Sequence, residues 1–262
     1  MDYLVICLVA LVVSALTLFS GFGLGTLLMP AFALFFPINF AVAATAIVHL
    51  ANNLFKVLLV GRHADVKTVL RFTIPAVIFA AIGAFLLGFL SDLPSLVEYR
   101  LGSKHCEITW IKLVMSVLIG FFSLWDLIPR FQGLVFGPKY VPLGGALSGF
   151  FGGLSGLQGA LRSAFLIRLG LSKEAFIGTG AVSTVAVDTS RLIVYGSTFV
   201  SKDLDVLAAN ESSAIIIAGI LSAFVGSFIG KKLMKKVTIS MVQLIVGVML
   251  FCIALAMGTG LI

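Results

Sequence analysis

The chain is predicted to be an all-α polytopic membrane protein made of two inverted-topology repeats, each with a Gly-broken pair of short helices and three long transmembrane helices. Three observations carry that prediction. The 262 residues are 60% hydrophobic and 11% charged, against roughly 45–50% and about 25% for a soluble domain, so too few charges remain to cover a soluble surface. The apolar residues run in continuous stretches such as 72–90 and 207–229, where a membrane β-barrel would alternate apolar with polar. Glycine-rich breaks recur in both halves in the same order, followed by loop charges of opposite sign.

The first apolar region, 3–37, is interrupted at Gly21, Gly23 and Gly25 and reads as two short elements joined by a break. Its start, Met1-Asp2-Tyr3, lacks the positive region of a cleavable signal peptide, so the stretch is expected to stay in the mature protein. Runs near the roughly 20 residues needed to cross a bilayer follow at 40–60, 68–90 and 109–128. The second half repeats the scheme. A region at 141–172 is broken at Gly152, Gly153, Gly156 and Gly159, and long helices follow at 174–196, 206–229 and 238–260. The repeats are expected at 1–130 and 131–262, together forming one integrated membrane domain.

Loop charges orient these segments. Arg62, Lys67 and Arg71 in 61–71, and Lys231, Lys232, Lys235 and Lys236 in 231–236, mark cytoplasmic loops. Segment 91–108 mixes Asp92, Glu98 and Glu107 with Arg100 and Lys104, and 197–205 carries Asp203 and Asp205 with Lys202, so both are expected outside. Threading the helices through these assignments puts Arg130 and Lys139 inside and both termini outside. The net charge of +7 then reads as membrane anchoring, because the basic residues sit between apolar segments; no nucleic-acid partner is expected. Cys7, Cys106 and Cys252 are far apart and point to neither a disulfide framework nor a zinc site. No metal or cofactor is expected.

The repeat shows in the order of short motifs. Repeat one has Gly21-Phe-Gly-Leu-Gly25, then Ala44-Thr45, then Asn53-Leu-Phe-Lys56, then Gly61; repeat two has Gly153-Leu-Ser-Gly156, then Gly178-Thr179, then Asp188-Thr-Ser-Arg191, then Gly196. Thr45 lies 11 residues before Lys56 and Thr179 lies 12 before Arg191. Steps of three to four residues return to one side of a helix, so each threonine, polar residue and cation fall near one face. Arg62 and Lys67 follow the first of these helices, Asp203 and Asp205 the second, so the two run in opposite directions. Such inverted repeats place broken helices at a midplane site in transporters; chance similarity among Gly-rich apolar segments is the alternative.

A charge at the bilayer centre costs roughly 2.5–3.5 kcal/mol on insertion scales, so it normally faces a cavity or a partner. Lys56, Asp188 and Arg191 are therefore informative. Asp188 and Arg191 can neutralise one another, and Lys56 can snorkel toward the inner interface. Asn52 and Asn53 need polar partners. The glycine breaks offer a second kind of site, since a helix that starts inside the membrane turns unpaired N–H groups and a positive dipole end toward an anion. Gly21, Gly23, Gly25, Gly153 and Gly156 are the candidate cage, with Thr26, Thr45, Thr179, Ser155 and Gln158 as donors and Arg162 within reach. Close helix packing is the other use of such glycines.

At these residues the chain resembles the TauE/SafE family of membrane permeases. The resemblance rests on size, on Gly21-Phe-Gly-Leu-Gly-Thr-Leu-Leu-Met-Pro30 with Ala44-Thr45 downstream, and on the second break followed by Gly178-Thr179 and Tyr195-Gly196, and it covers nearly the whole chain. Leu161-Arg162-Ser163 stands where a counterpart of Pro30 would be expected. The resemblance implies a permease for sulfite or a related organosulfur anion, working as an exporter.

Other classes fit less well. Gly153-Leu-Ser155-Gly156 matches the Gly-x-Ser-Gly motif of rhomboid-type intramembrane proteases, but the base there is a later histidine, and the last histidine in this chain is His105. No strand precedes Gly21-Phe-Gly-Leu-Gly, which excludes a dinucleotide site. A channel should show a continuous polar lining, and a non-transport membrane subunit has no reason to keep Asn53, Lys56, Asp188 and Arg191 in apolar helices. The expectation is a non-enzymatic carrier in a bacterial inner membrane. The repeats rock around an anion held by the half-helix ends, with Lys56 or Arg191 attracting it and Asp188 available to a coupling proton.

Overall fold

The computed structural model describes residues 2–17, 24–102, 104–128, 131, 135–200, 210–233 and 239–262. In chain order it places α1 (Asp2–Thr17), α2 (Leu24–Ala33), α3 (Ile38–Val60), α4 (Val66–Ser91), a hairpin of β1 (Val97–Leu101) and β2 (Lys104–Ile108), and α5 (Trp110–Leu127). The second half follows with α6 (Val141–Ser155), α7 (Gly159–Leu166), α8 (Lys173–Tyr195), α9 (Asn210–Leu233) and α10 (Ile239–Gly258). Helix length separates two groups. At 1.5 Å per residue the 23 residues of α3 and of α8 extend about 35 Å, enough for a hydrocarbon core of about 30 Å. The ten residues of α2 and eight of α7 reach only about 12–15 Å.

Polarity runs opposite to that of a soluble protein. Leu58 is 84% exposed, Ile193 69% and Phe228 66%, while Lys56, Arg162, Asp188 and Arg191 are buried. Apolar side chains turned outward along whole helices match lipid as the surrounding solvent. Among the described residues, Ile38–His63 and Val66–Ser91 combine the length and low charge of a complete span, and α1, α5, α9 and α10 carry shorter apolar stretches.

The helices pack across the two halves. α1 lies against α9, α4 against α6, α3 against α8 and α5 against α10. Exchanging the halves element by element, α1 with α6 through α5 with α10, turns each of these contacts into itself or another of the set. Small residues make the closest of them possible. Gly145, Gly149 and Gly153 lie four residues apart on one face of α6, where an added Cβ would fall 2.1, 2.0 and 2.0 Å from the carbonyl oxygens of Phe72, Ala76 and Ala80 on α4. Any side chain there would push the helices apart. In the α1–α9 contact, Ser14 bonds Ser227 and Ser227 donates to Asn52 of α3 at 2.9 Å. Asp65, Thr109 and Ser172 cap α4, α5 and α8 by accepting from the amides of Thr68, Lys112 and Ala175.

The long segments match the sequence expectation to within a few residues wherever both are described. Segment 91–108, for which the sequence predicts only an outer location, folds largely as an antiparallel hairpin with Tyr99 opposite Cys106. Its anchor is distant in sequence: the Tyr99 hydroxyl donates to the Thr259 carbonyl beyond α10. Gly21, Gly23, Arg130, Lys202, Asp203, Asp205, Lys235 and Lys236 lie outside the described residues.

Candidate functional site

Gly25 of the first glycine break and Gly156 of the second meet inside the protein. Gly156 closes α6 in the left-handed conformation, φ +80°, which glycine adopts without a Cβ clash. Gly25, in the first turn of α2, lies so near that a Cβ on it would sit 3.1 Å from the Gly156 carbonyl oxygen and 3.8 Å from the His49 ring. A Cβ on Gly156 would in turn lie 3.2 Å from Arg191 Nη1.

Beside the breaks, α8 presents Asp188, Arg191 and Tyr195 at i, i+3 and i+7, one face of the helix. Asp188 is fully buried. Its Oδ1 accepts from Gln158 Nε2 at 3.1 Å and Arg191 Nε at 2.9 Å, with Arg191 Nη2 at 2.7 Å; its Oδ2 lies 2.8 Å from His49 Nδ1 on α3. Arg191 Nη1 donates to the Gly152 carbonyl at 3.1 Å, and the Tyr195 hydroxyl donates to that of Gly153. The carboxylate is thus held by both halves of the chain and by the break between α6 and α7.

A partly open cavity lies next to this cluster. Asn53 and Lys56 of α3 and Arg162 of α7 form its polar side, and Leu166, Phe176 and Ile177 its apolar side, over Gly180 and Ala181. The Asn53 amide donates to the His49 carbonyl at 2.8 Å. Arg162 donates to Thr184, whose hydroxyl donates to the Gly180 carbonyl at 2.8 Å. Lys56 is 8% exposed and forms no hydrogen bond or ion pair among the described residues. Three buried cations, Lys56, Arg162 and Arg191, therefore surround one buried carboxylate that is already bound to Arg191. Asp188 matches the charge of Arg191, whereas Lys56 has no such partner among the described residues. A buried cation without a counter-ion costs several kcal/mol, which makes Lys56 the candidate ligand-binding group of the cavity.

The remaining candidates divide. Gly156, Gly25, Gln158, Asp188 and Arg191 gather at the break, and Asn53, Lys56 and Arg162 at the cavity. Gly153 lies in the α4–α6 packing row. Ser155 donates back to the Phe151 carbonyl at 2.9 Å within its own helix. Thr179 accepts from the Asp65 amide at 2.9 Å, which ties α8 to the turn after α3. Thr45 is fully buried with its hydroxyl unpaired. Thr26 belongs to the α2 backbone, and its side chain is outside the described residues, as are Gly21 and Gly23. Sequence reasoning missed His49 as a site residue. The signal was present: His49, Asn53 and Lys56 fall at i, i+4 and i+7, one polar face in an otherwise apolar helix.

Comparison with known proteins agrees with this architecture. The model of the family described as sulfite exporter TauE/SafE matches residues 6–257, nearly the whole chain. No match was found among curated proteins or among solved structures. The chain belongs to the TauE/SafE family, and is an integral membrane protein of a permease family.

Proposed function

We propose that this TauE/SafE protein binds a small sulfur oxyanion or sulfonate in the cavity between Lys56 and Arg162 and exports it by alternating access. The observation that carries the reading is Lys56, a buried cation at the cavity that forms no hydrogen bond or ion pair among the described residues, with Arg162 on the same polar side. Leu166, Phe176 and Ile177 supply an apolar surface against which an organic substituent on the anion would pack. Export is supported by where the cavity lies. Lys56 is five residues before Gly61, Leu166 ends α7, and Phe176 to Ala181 lie near the start of α8, next to segments carrying Arg62, Lys67, Arg168 and Lys173. Positive loops face the cytoplasm, so the anion would load from inside.

The two inverted repeats, 1–130 and 131–262, are the moving bodies in this reading. The packing supports them, because its cross-half contacts survive exchange of the halves. The protein is then a multi-pass component of a bacterial inner membrane with both termini outside. Sulfite efflux from proteoliposomes tests the function. Saturable efflux is expected, falling about tenfold or more in Lys56→Ala, a change equal to about 1.4 kcal/mol of lost anion binding, and recovering in Lys56→Arg. A failure to move sulfite or any simple sulfonate would overturn the substrate assignment.

A further inference from the structure

Resting on the anion-transport reading above, we propose that His49 is the proton-binding group of the transport cycle, and that the proton travels with the anion. The sequence points first to Asp188, the acidic residue in mid-helix. Its surroundings leave no place for a proton: Oδ1 faces Gln158 Nε2 and the Arg191 guanidinium, and Oδ2 faces His49 Nδ1. Donors on both oxygens match the ionised carboxylate.

His49 is different. An ionised Asp188 fixes the tautomer with the proton on Nδ1, which leaves the Nε2 lone pair facing away from it. Nε2 lies 3.8 Å from where a Cβ on Gly25 would sit, at the first glycine break, and makes no hydrogen bond among the described residues. A proton added at Nε2 keeps the Nδ1–H donated to Asp188, so the α3–α8 link survives both charge states. The charged groups around the ring are Asp188 and Arg191 on α8 and Lys56 on its own helix. The neighbouring α2 carries no titratable residue, the α6–α7 break presents neutral Gln158 to the same carboxylate, and α9 offers Ser227 to α3.

Protonation therefore adds a positive charge to a region that already holds Lys56, Arg162 and Arg191. The bound anion stabilises that charge and the charge stabilises the anion by the same factor, since linkage is reciprocal. Proton and anion load together and leave together. One proton binds at Nε2 from the loading side and is released from the same atom on the other, with no other group changing its protonation.

Sulfite efflux from proteoliposomes holding the full chain tests this with His49→Asn, which keeps an N–H toward Asp188 and cannot titrate. Sulfite itself ionises equally in both preparations, so the ratio of wild-type to variant rates isolates the residue. The ratio is expected to fall about tenfold from about pH 6 to about pH 8. Sulfite added in weakly buffered detergent is expected to draw up to one more proton per chain from solution with the wild-type protein than with His49→Asn at equal bound sulfite, so that the titration of sulfite itself cancels. A constant ratio, or equal proton uptake by the two proteins, overturns the role of His49 and leaves anion transport intact. Absence of sulfite efflux from the wild-type vesicles overturns both.

Discussion

Helices α3 and α8 carry the same pattern, a polar residue and a cation three positions later, and use it in opposite ways. In α8 the pair closes on itself, with Arg191 bound to Asp188 and both fully buried. In α3 the polar partner is Asn53, which carries no charge, so Lys56 is left facing the cavity. One difference in charge separates a closed ion pair from a cation that faces a cavity. A charged pair that satisfies itself has little left for a ligand, whereas a cation beside an amide keeps its field available.

The largest effect should come from breaking the clamp. Asp188→Asn leaves the Arg191 guanidinium buried without its counter-ion, a situation that costs about 3–5 kcal/mol. Thermal unfolding in detergent should show a marked loss of stability, whereas Lys56→Met, which removes an unpaired buried charge, should leave the melting temperature unchanged or raise it. Equal losses in the two variants would mean that the contrast between the helices is wrong.

The converse change should sharpen the contrast. Asn53→Asp gives α3 the i, i+3 pair of α8, so the new carboxylate competes with the anion for Lys56. Half-saturating sulfite concentration for efflux should rise about tenfold or more, or about 1.4 kcal/mol. An unchanged value would place the binding cation elsewhere.

A smaller effect lies where the two helices are tied at their loop ends. Asp65 caps α4 through Thr68, while its own amide donates to Thr179 of α8. Asp65→Ala should lose about 1 kcal/mol through the missing cap. Hydrogen bonds from the Thr68 side chain and amide hold the Asp65 carboxyl below its ordinary value. A depressed folded value means stability that is present above the unfolded value and lost as pH falls through the folded one. The difference in melting temperature between wild type and variant should therefore shrink below about pH 4 and stay constant above about pH 5.

Much of this architecture was legible in the sequence because lipid imposes it residue by residue. A continuous apolar run of sufficient length has to be a helix in a bilayer, which is why α3, α4, α5 and α8 lie where composition placed them. The glycine breaks were legible for the same reason, since 152–159 interrupts such a run with residues that favour turns and close contacts. The hairpin at Val97–Ile108 was not. Its strands are five residues each, and its anchor, from Tyr99 to Thr259, spans 160 positions of chain.

The sequence by itself determined which residues would be costly in lipid, because the penalty for a charge in an apolar helix depends on that residue and its neighbours in the run. Only the tertiary structure decided what each one is for. His49 and Asp188 are 139 residues apart, and Lys56 and Arg162 come from different halves of the chain. Whether a buried charge is matched depends on what packing brings within a few ångströms, and no local pattern encodes that distance.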